Sequence, residues 1–319
     1  VVGMELITGD TLCPKDHPIV LERTQFPEPV IDQAIEPKTK SDQDKLEDAL
    51  QRLMQEDPSF RSRIDTETGQ NIISGMGELH LEIMVDRLQR EFRVDCKAGT
   101  PRVAYRETIT QAAVSETKFE QPLDGKEQFA FCRISLEPLE AGGGFEFENK
   151  LSADELPRIF AEAVEQGIQG AMSNGVLAGF AMIDLKATLV AADYLEELST
   201  EVAFSIAGIN VLRAGIQKAK PKLLEPSMKI EVVTPVSFTG EVIGDLNARH
   251  GRIRGMEEQG GIQVISAEAP LAEMFGYSTR LRSLTQGRAS FTMHFSHYSS
   301  VTEVIRKALT GGSVSSGRA

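Results

Sequence analysis

Hydrophobic and polar positions alternate with the same sequence of periods in two separate stretches of the chain. In the first, residues 19–97, Val30–Glu36 reads as a strand between Pro29 and Pro37. Ser41 then stands where a helix cap belongs, with Asp44 three residues on. The helix that follows lines up Leu46, Ala49, Leu50, Leu53 and Met54 on one face and stops at Asp57-Pro58. Phe60–Asp65 and Gln70–Ser74 alternate as two strands around the turn Thr66–Gly69. Gly77–Glu91 is a second helix with Leu81, Met84, Val85, Leu88 and Phe92 on one stripe, and Arg93–Cys96 closes as a strand. This order, βαββαβ, is the ferredoxin-like split βαβ.

The order repeats in residues 223–298. Lys229–Thr234 is the first strand, Thr239 caps a helix Gly240–Arg249, and Arg252–Met256 and Ile262–Ala267 form a hairpin across Glu257–Gly261. Pro270 opens a helical region that runs through Phe275 and Leu281–Leu284, and Ala289–Phe295 is the last strand. Between the repeats, residues 98–222 read as strands at Val103–Ile109, Phe129–Leu136 and Ala181–Val190 and helices at Leu156–Met172 and Leu198–Lys218. The fold class is therefore α+β, with two ferredoxin-like units flanking a third, different domain. Met4–Ile7 reads as a strand and Thr8–Thr11 as a turn, so the first eighteen residues look like the end of a preceding domain. Pro221 and Pro226 mark the far boundary of the middle segment, and the Gly- and Ser-rich stretch from Thr310 to Ala319 reads as a disordered tail.

Composition narrows the function classes. The chain of 319 residues has no Trp, is 25% charged, and has a net charge of −13, which argues against broad, sequence-blind grip on nucleic acid. No stretch reaches the roughly 18 apolar residues of a membrane span, and the N-terminus shows no secretory pattern and no initiator Met, so a fragment of a cytoplasmic protein is expected. Cys13, Cys96 and Cys132 are odd in number and far apart, which suits buried thiols in a reducing compartment.

Candidate chemistry is sparse. The only Gly-Lys pair, Gly125-Lys126, is followed by Glu127, so the chain has no phosphate-cradling P-loop. Gly75-Met76-Gly77 follows a strand and opens a helix, but His80 stands where the dinucleotide fingerprint needs a third Gly. Glu78, His80 and Glu82 sit two apart on a helix and so point to different sides, which leaves a capping Glu and a partly buried His. No catalytic residue, cofactor site or metal site is expected. A basic cluster stands out instead: Arg249, His250, Arg252 and Arg254 lie together, with Arg280, Arg282 and Arg288 around the following helical region. Residues 223–298 have a net charge of −1, against −6 for each of 19–97 and 98–222. Bunched arginines suit phosphate oxygens through planar, bidentate donors, while ion pairing to Glu257 and Glu258 would be the plainer use of the same charge.

Longer runs carry a resemblance. Phe26–Val30, Glu36–Lys40, Glu56–Phe60 and Ile73–Glu82 are similar to translation elongation factor G, as are Leu224–Pro226, Gly244–Leu246, Pro270–Tyr277 and Leu281–Ala289. The resemblance implies the C-terminal part of a GTP-dependent ribosomal factor. Residues 1–18 would end the preceding β-barrel. Residues 19–97, 98–222 and 223–298 would be the third, fourth and fifth domains, and residues 299–319 a C-terminal helix and flexible tail. The fourth would be a ribosomal-protein-like α+β domain with a left-handed βαβ crossover. The ribosome would be the partner of a monomer, with GTP and magnesium held by the intact protein rather than by this chain. A rigid fourth domain would act as a lever between the two ferredoxin-like units.

Two loops depart from the family. Translocating members carry a Gly-Gly-Arg-Gly-Gln-Tyr-Gly-like loop at the tip of the fourth domain, where this chain has Asp124–Ala130, with Lys126, Glu127 and Gln128 at its centre. A second tip loop, Gly-Ser-Tyr-His-Asp-Val-Asp-Ser-Ser-like in the family, is Ala192–Thr200 here, with Asp193, Tyr194, Leu195 and Glu196 in it and Leu195 at the place of the His. In the family this tip meets transfer RNA and message. Glu127, Asp193, Glu196 and Glu197 would bring negative charge toward phosphates, at about 1 kcal/mol per close like-charge pair in water. The expected function is ribosome binding in translation elongation, as a translocase. The alternatives are a divergent paralogue serving ribosome recycling and a GTPase-independent ribosome-binding or protection module.

Overall fold

The structure is a computed structural model that describes residues 13, 14, 16, 17, 19 and 26 and, continuously, 29–65, 70–123 and 125–310. The expected strand and turn at 4–11, the turn Thr66–Gly69 and the tail beyond Thr310 lie outside the described residues. The chain divides into two compact units. One is formed by the chain up to Ala104 with Pro226–Ser296, the other by Tyr105–Glu225 with the chain from His297 onward.

The first unit opens with β1 (Ile31–Pro37), whose Ile31 and Ile35 point into the core. Helix α1 (Lys40–Glu56) follows. Its cap is Thr39, not Ser41: the Thr39 hydroxyl accepts a hydrogen bond from the Asp42 backbone N–H at 3.2 Å, and Ser41 lies inside the helix. Thr39 wins because it is the last residue in extended backbone before the turn, the conformation a cap needs. Leu46, Ala49, Leu50 and Leu53 are buried as the periodicity requires. Strands β2 (Arg61–Ile64) and β3 (Asn71–Gly75), helix α2 (Glu78–Arg90), β4 (Cys96–Ala98) and the short β5 (Arg102–Val103) complete the pattern. The sheet order is β2-β3-β1-β4, with β5 also pairing β1. It is the split-βαβ order, with both helices on the face that carries Ile31, Ile35 and Ile73.

The second unit starts with β6 (Arg106–Ile109). The single strand expected over Val103–Ile109 is thus two, because Arg102–Val103 pairs with β1 and Arg106–Ile109 pairs with the start of β11 (Pro221–Pro235). Two strands were not anticipated, β7 (Ala113–Leu123) and β9 (Phe145–Asn149). With β8 (Lys126–Pro138) and β10 (Leu185–Asp193) they form a sheet of order β7-β8-β10-β9, in which β9 and β10 run parallel across helix α3 (Arg158–Met172). Helix α4 (Glu201–Lys218), capped by Thr200, packs on the same sheet and against α3. Phe160 of α3 stacks on Phe204 of α4 at 4.7 Å between centroids. The two helices touch backbone to backbone: a Cβ added at Gly167 would lie 2.2 Å from the Ser205 carbonyl oxygen, and one at Gly208 2.6 Å from that of Val164.

Strand β11 carries the chain back to the first unit, where the βαββαβ pattern repeats. A 3-10 turn at Val236–Phe238 leads into α5 (Thr239–Ala248), and Phe238 occupies the cap position without a side-chain bond, so Thr239 does not cap. Strands β12 (Arg252–Gln259) and β13 (Ile262–Pro270) form a tighter hairpin than expected. Only Gly260 and Gly261 turn the chain, both with positive φ (61° and 80°), as a two-residue hairpin requires. The expected helical region after Pro270 splits into α6 (Leu271–Met274) and α7 (Tyr277–Leu284), and β14 (Ser290–Ser300) closes the sheet in the order β12-β13-β11-β14. Helix α8 (Glu303–Thr310) ends the described chain.

Candidate nucleic-acid interface

The two loops set apart by sequence meet at one end of the second unit. Gly125, the only Gly before a Lys, closes the β7–β8 hairpin with a positive φ of 78°, so it serves a turn and not a phosphate cradle. Behind the hairpin the second loop is tied to it by three hydrogen bonds and to itself by a fourth. The Phe129 N–H donates to the Leu198 carbonyl at 2.8 Å. The Ser199 hydroxyl donates to the Phe129 carbonyl at 2.7 Å and accepts from the Leu195 N–H at 2.9 Å. The Thr200 hydroxyl bonds Gln128 Oε1 at 2.5 Å, which also sets the cap of α4 beside the hairpin. Tyr194 packs its ring on Phe160 at 5.8 Å.

Gln128 is buried and structural, while Lys126, Glu127, Asp193, Glu196 and Glu197 are exposed or half-buried at the surface. Leu195 is 48% exposed, an apolar side chain at the surface of an acidic end. The sequence brought these residues to notice, and the structure brings them together.

The arginine cluster separates into paired and unpaired members. Arg249 is inward: its Nε donates to Asp245 at 2.9 Å, its Nη1 donates to the Glu273 carbonyl, and its guanidinium covers the Tyr277 ring at 5.2 Å. Only 19% of its side chain is exposed. Burial pushes the Tyr277 phenol well above its usual range, with Asp245 adding to the rise and Arg249 opposing it. Arg280 shares Asp245 at 3.1 Å, Arg254 donates from both Nε and Nη2 to the single oxygen Oε2 of Glu268, and His250 faces Glu273 at 3.4 Å. The partners are therefore Asp245, Glu268 and Glu273, not Glu257 and Glu258. Arg288 lies over Phe238 at 5.1 Å. Arg252 and Arg282 are exposed and make no ion pair with any described residue.

His80 takes the structural role its spacing suggested. Its Nδ1 accepts from the Met76 N–H at 3.1 Å, and its Nε2 lies 3.2 Å from Asp57 Oδ2. Burial pushes the Asp57 carboxyl up, but bonds from Ser59 and the neighbouring His80 outweigh it and hold it below its ordinary value. A Cβ at Gly75 would lie 2.7 Å from Leu81 Cδ2, so that glycine admits close helix packing. Among the described residues no group of His, Cys, Asp or Glu could hold a metal ion, and no helix is long and apolar enough to cross a membrane.

Sequence reasoning missed Glu107, which is fully buried and accepts backbone N–H bonds from Val176, Leu177, Ala178 and Phe180 at 2.7–3.2 Å. It organises the loop between α3 and β10, and a Cβ at Gly175 would collide with its carboxyl carbon at 2.4 Å. Asp184 does the same for the turn before β9, accepting from the Gly142 and Gly144 N–H groups at 3.1 and 3.0 Å. Asp184 had one sequence signal, an acidic residue between Ala181–Ile183 and Leu185, whereas Glu107 stands between Arg106 and Thr108 and had none.

Comparison with known proteins agrees with this architecture. Residues 26–100 match the family model described as Elongation Factor G, domain III. Residues 101–220 match Elongation factor G, domain IV, and residues 222–309 match the Elongation factor G C-terminus. A crystal structure of a protein from Thermus thermophilus superposes with a TM-score of 0.69 at 35% identity, covering 94% of this chain and 45% of that one. The chain thus spans less than half the length of that solved relative. Three models of one family follow one another along the described chain, on two split-βαβ sheets and a four-stranded sheet between them in sequence: the chain belongs to the elongation factor G family.

Proposed function

We propose that this chain is the ribosome-binding part of a translational GTPase acting in elongation, with the fastened end of the second unit meeting transfer RNA and message. The observation that carries the reading is the joining of the two tip loops, Lys126–Gln128 and Asp193–Glu196, by the bonds from Ser199 and Thr200. Loops held to each other and to a helix cap transmit force without bending, which a lever entering a ribosome needs. Arg252 and Arg282 are the two arginines of the fifth-domain cluster free to meet ribosomal RNA phosphates. The intact protein binds GTP and magnesium elsewhere. The test is a translocation assay with full-length protein. Movement of transfer RNA by one codon, lost when Thr200 and Ser199 are both replaced by Ala, supports the reading. Absence of ribosome binding by the intact protein overturns it.

One observation favours a divergent role such as ribosome recycling within the same family. The tip carries Glu127, Asp193, Glu196 and Glu197 against a single described cation, Lys126, and like charges oppose a phosphate surface. Under this reading the wild type translocates poorly, and Leu195→His with Glu127→Gly restores it. Vigorous translocation that the two changes leave unaltered would sink the divergent role.

A further inference from the structure

The first unit carries a second charged surface, outside both features above, on the face of its β1–β5 sheet opposite α1 and α2. Pairing registers place Arg61, Ser74, Asp32 and Arg102 in one row across β2, β3, β1 and β5. The next row places Arg63 beside Ile72 and Ala34, and farther along β1 Glu36 stands opposite Lys97. Residues directly opposite one another share a face, so all of these lie on the side away from α1 and α2. Both carboxylates on this face are already engaged: Asp32 accepts from the Ser74 hydroxyl at 2.5 Å and pairs with Arg63 at 3.3 Å, and Glu36 accepts from Gln70 Nε2 at 2.5 Å. Arg61, Lys97 and Arg102 are exposed and make no ion pair with any described residue. Between them lie Ala34, Ile72, Ser74 and Asp32, the last already held by Ser74 and by Arg63 reaching across from β2.

The geometry is a sheet face with exposed cations towards both edges, Arg61 on β2 and Lys97 and Arg102 on β4 and β5. Three inter-strand steps separate Arg61 from Arg102, about 14 Å. Among the described residues these strands present no aromatic ring on this face on which a base could stack. Such a surface fits charge spread along two lines, not a single anion. A-form RNA presents this as the two phosphate lines flanking its wide, shallow groove.

We propose that this sheet face is an RNA-binding surface that grips the phosphate backbones of an RNA duplex through Arg61, Lys97 and Arg102. It deepens the ribosome-binding reading, on which its biological setting rests, by naming a contact that neither the tip nor the arginine cluster supplies. Recognition is by shape and charge, without base readout.

The experiment follows a fluorescein-labelled 20-base-pair RNA duplex by anisotropy across a salt series, with wild-type chain, the triple variant Arg61→Glu/Lys97→Glu/Arg102→Glu, and a control at two exposed cations elsewhere, Lys150→Glu/Arg213→Glu. Circular dichroism checks that each is folded. Loss of three phosphate contacts is expected to weaken low-salt binding by about ten- to hundred-fold and to flatten the log–log salt slope by about 2–3, while the control loses less. A wild type that does not bind the duplex, or a folded triple variant that binds with unchanged affinity and slope, overturns the proposal. Ribosome pelleting on the same samples separates the two readings. Duplex binding without ribosome binding removes the ribosomal function and leaves the surface. Ribosome binding insensitive to the triple variant, together with unchanged duplex binding, removes the surface and leaves the function.

Discussion

The contact between α3 and α4 sets up a test in which one substitution, made twice on one helix, changes sign. At Gly167 an added Cβ would stand 2.2 Å from the Ser205 carbonyl oxygen, whereas a carbon–oxygen contact needs roughly 3.3 Å. The obstacle is backbone and cannot rotate away, so α3 must withdraw by about 1 Å from α4, opening gaps along Val164, Phe204 and Val211, all fully buried. Overpacking of this kind costs about 1–3 kcal/mol or more, and the better helix propensity of Ala returns about 1. A net loss of about 2 kcal/mol is expected for Gly167→Ala. At Gly170 nothing lies within 4 Å of the added Cβ, so Gly170→Ala is expected to gain up to about 1 kcal/mol. Urea unfolding followed by far-ultraviolet circular dichroism, with amide exchange read at α3 and α4, measures both. Equal effects at the two positions, or a stabilised Gly167→Ala, would refute the backbone-contact reasoning.

Four further outcomes are expected. Glu107→Ala strips four backbone donors of their acceptor and should cost about 3 kcal/mol or more, with new proteolytic cleavage in residues 173–181 as the readout. Arg249→Ala should lower the melting temperature, because it removes the Asp245 pair and the cover on Tyr277, while Arg252→Ala should leave it unchanged. In native protein Cys13, which is exposed, should react with a thiol reagent at once, and Cys96 and Cys132 only on unfolding. Burial pushes the Cys132 thiol up to about 12, so the unfolded state loses that proton first; stability should fall above about pH 9 by up to about 1.4 kcal/mol per unit, and Cys132→Ala should fall less steeply.

The two βαββαβ units were legible because their amphipathic helices and hairpins are local. Leu46, Ala49, Leu50 and Leu53 announce α1 without reference to anything distant. Strand β7 was not legible, for a physical reason: its inward positions include Ser115 and Thr117, small and polar. Ser115 is there so that α4 can approach, its hydroxyl donating to the Val211 carbonyl at 2.8 Å while Gly215 leaves the space. At the site, the resemblance located both tip loops, but the bonds from Ser199 and Thr200 join residues about 70 positions apart, which spacing does not reveal. The arginine cluster shows the converse error. Charge counted along the sequence treated its members alike, yet only Arg252 and Arg282 keep an exposed charge free of any described carboxylate or ring. Of their neighbours' partners, Asp245 was within reach of sequence reading, four residues before Arg249 on one helix.

The fastened tip also decides where an optical label can report faithfully. A dye attached through Leu195→Cys sits on a loop tied to Phe129 and to the cap of α4, so its orientation follows the whole second unit and not a wandering loop. The sealed thiols of Cys96 and Cys132 would not compete for the dye, which leaves Cys13 as the one native cysteine to replace. A chain so labelled turns the tip into a goniometer needle, with the protein's own hydrogen bonds holding the needle to the dial.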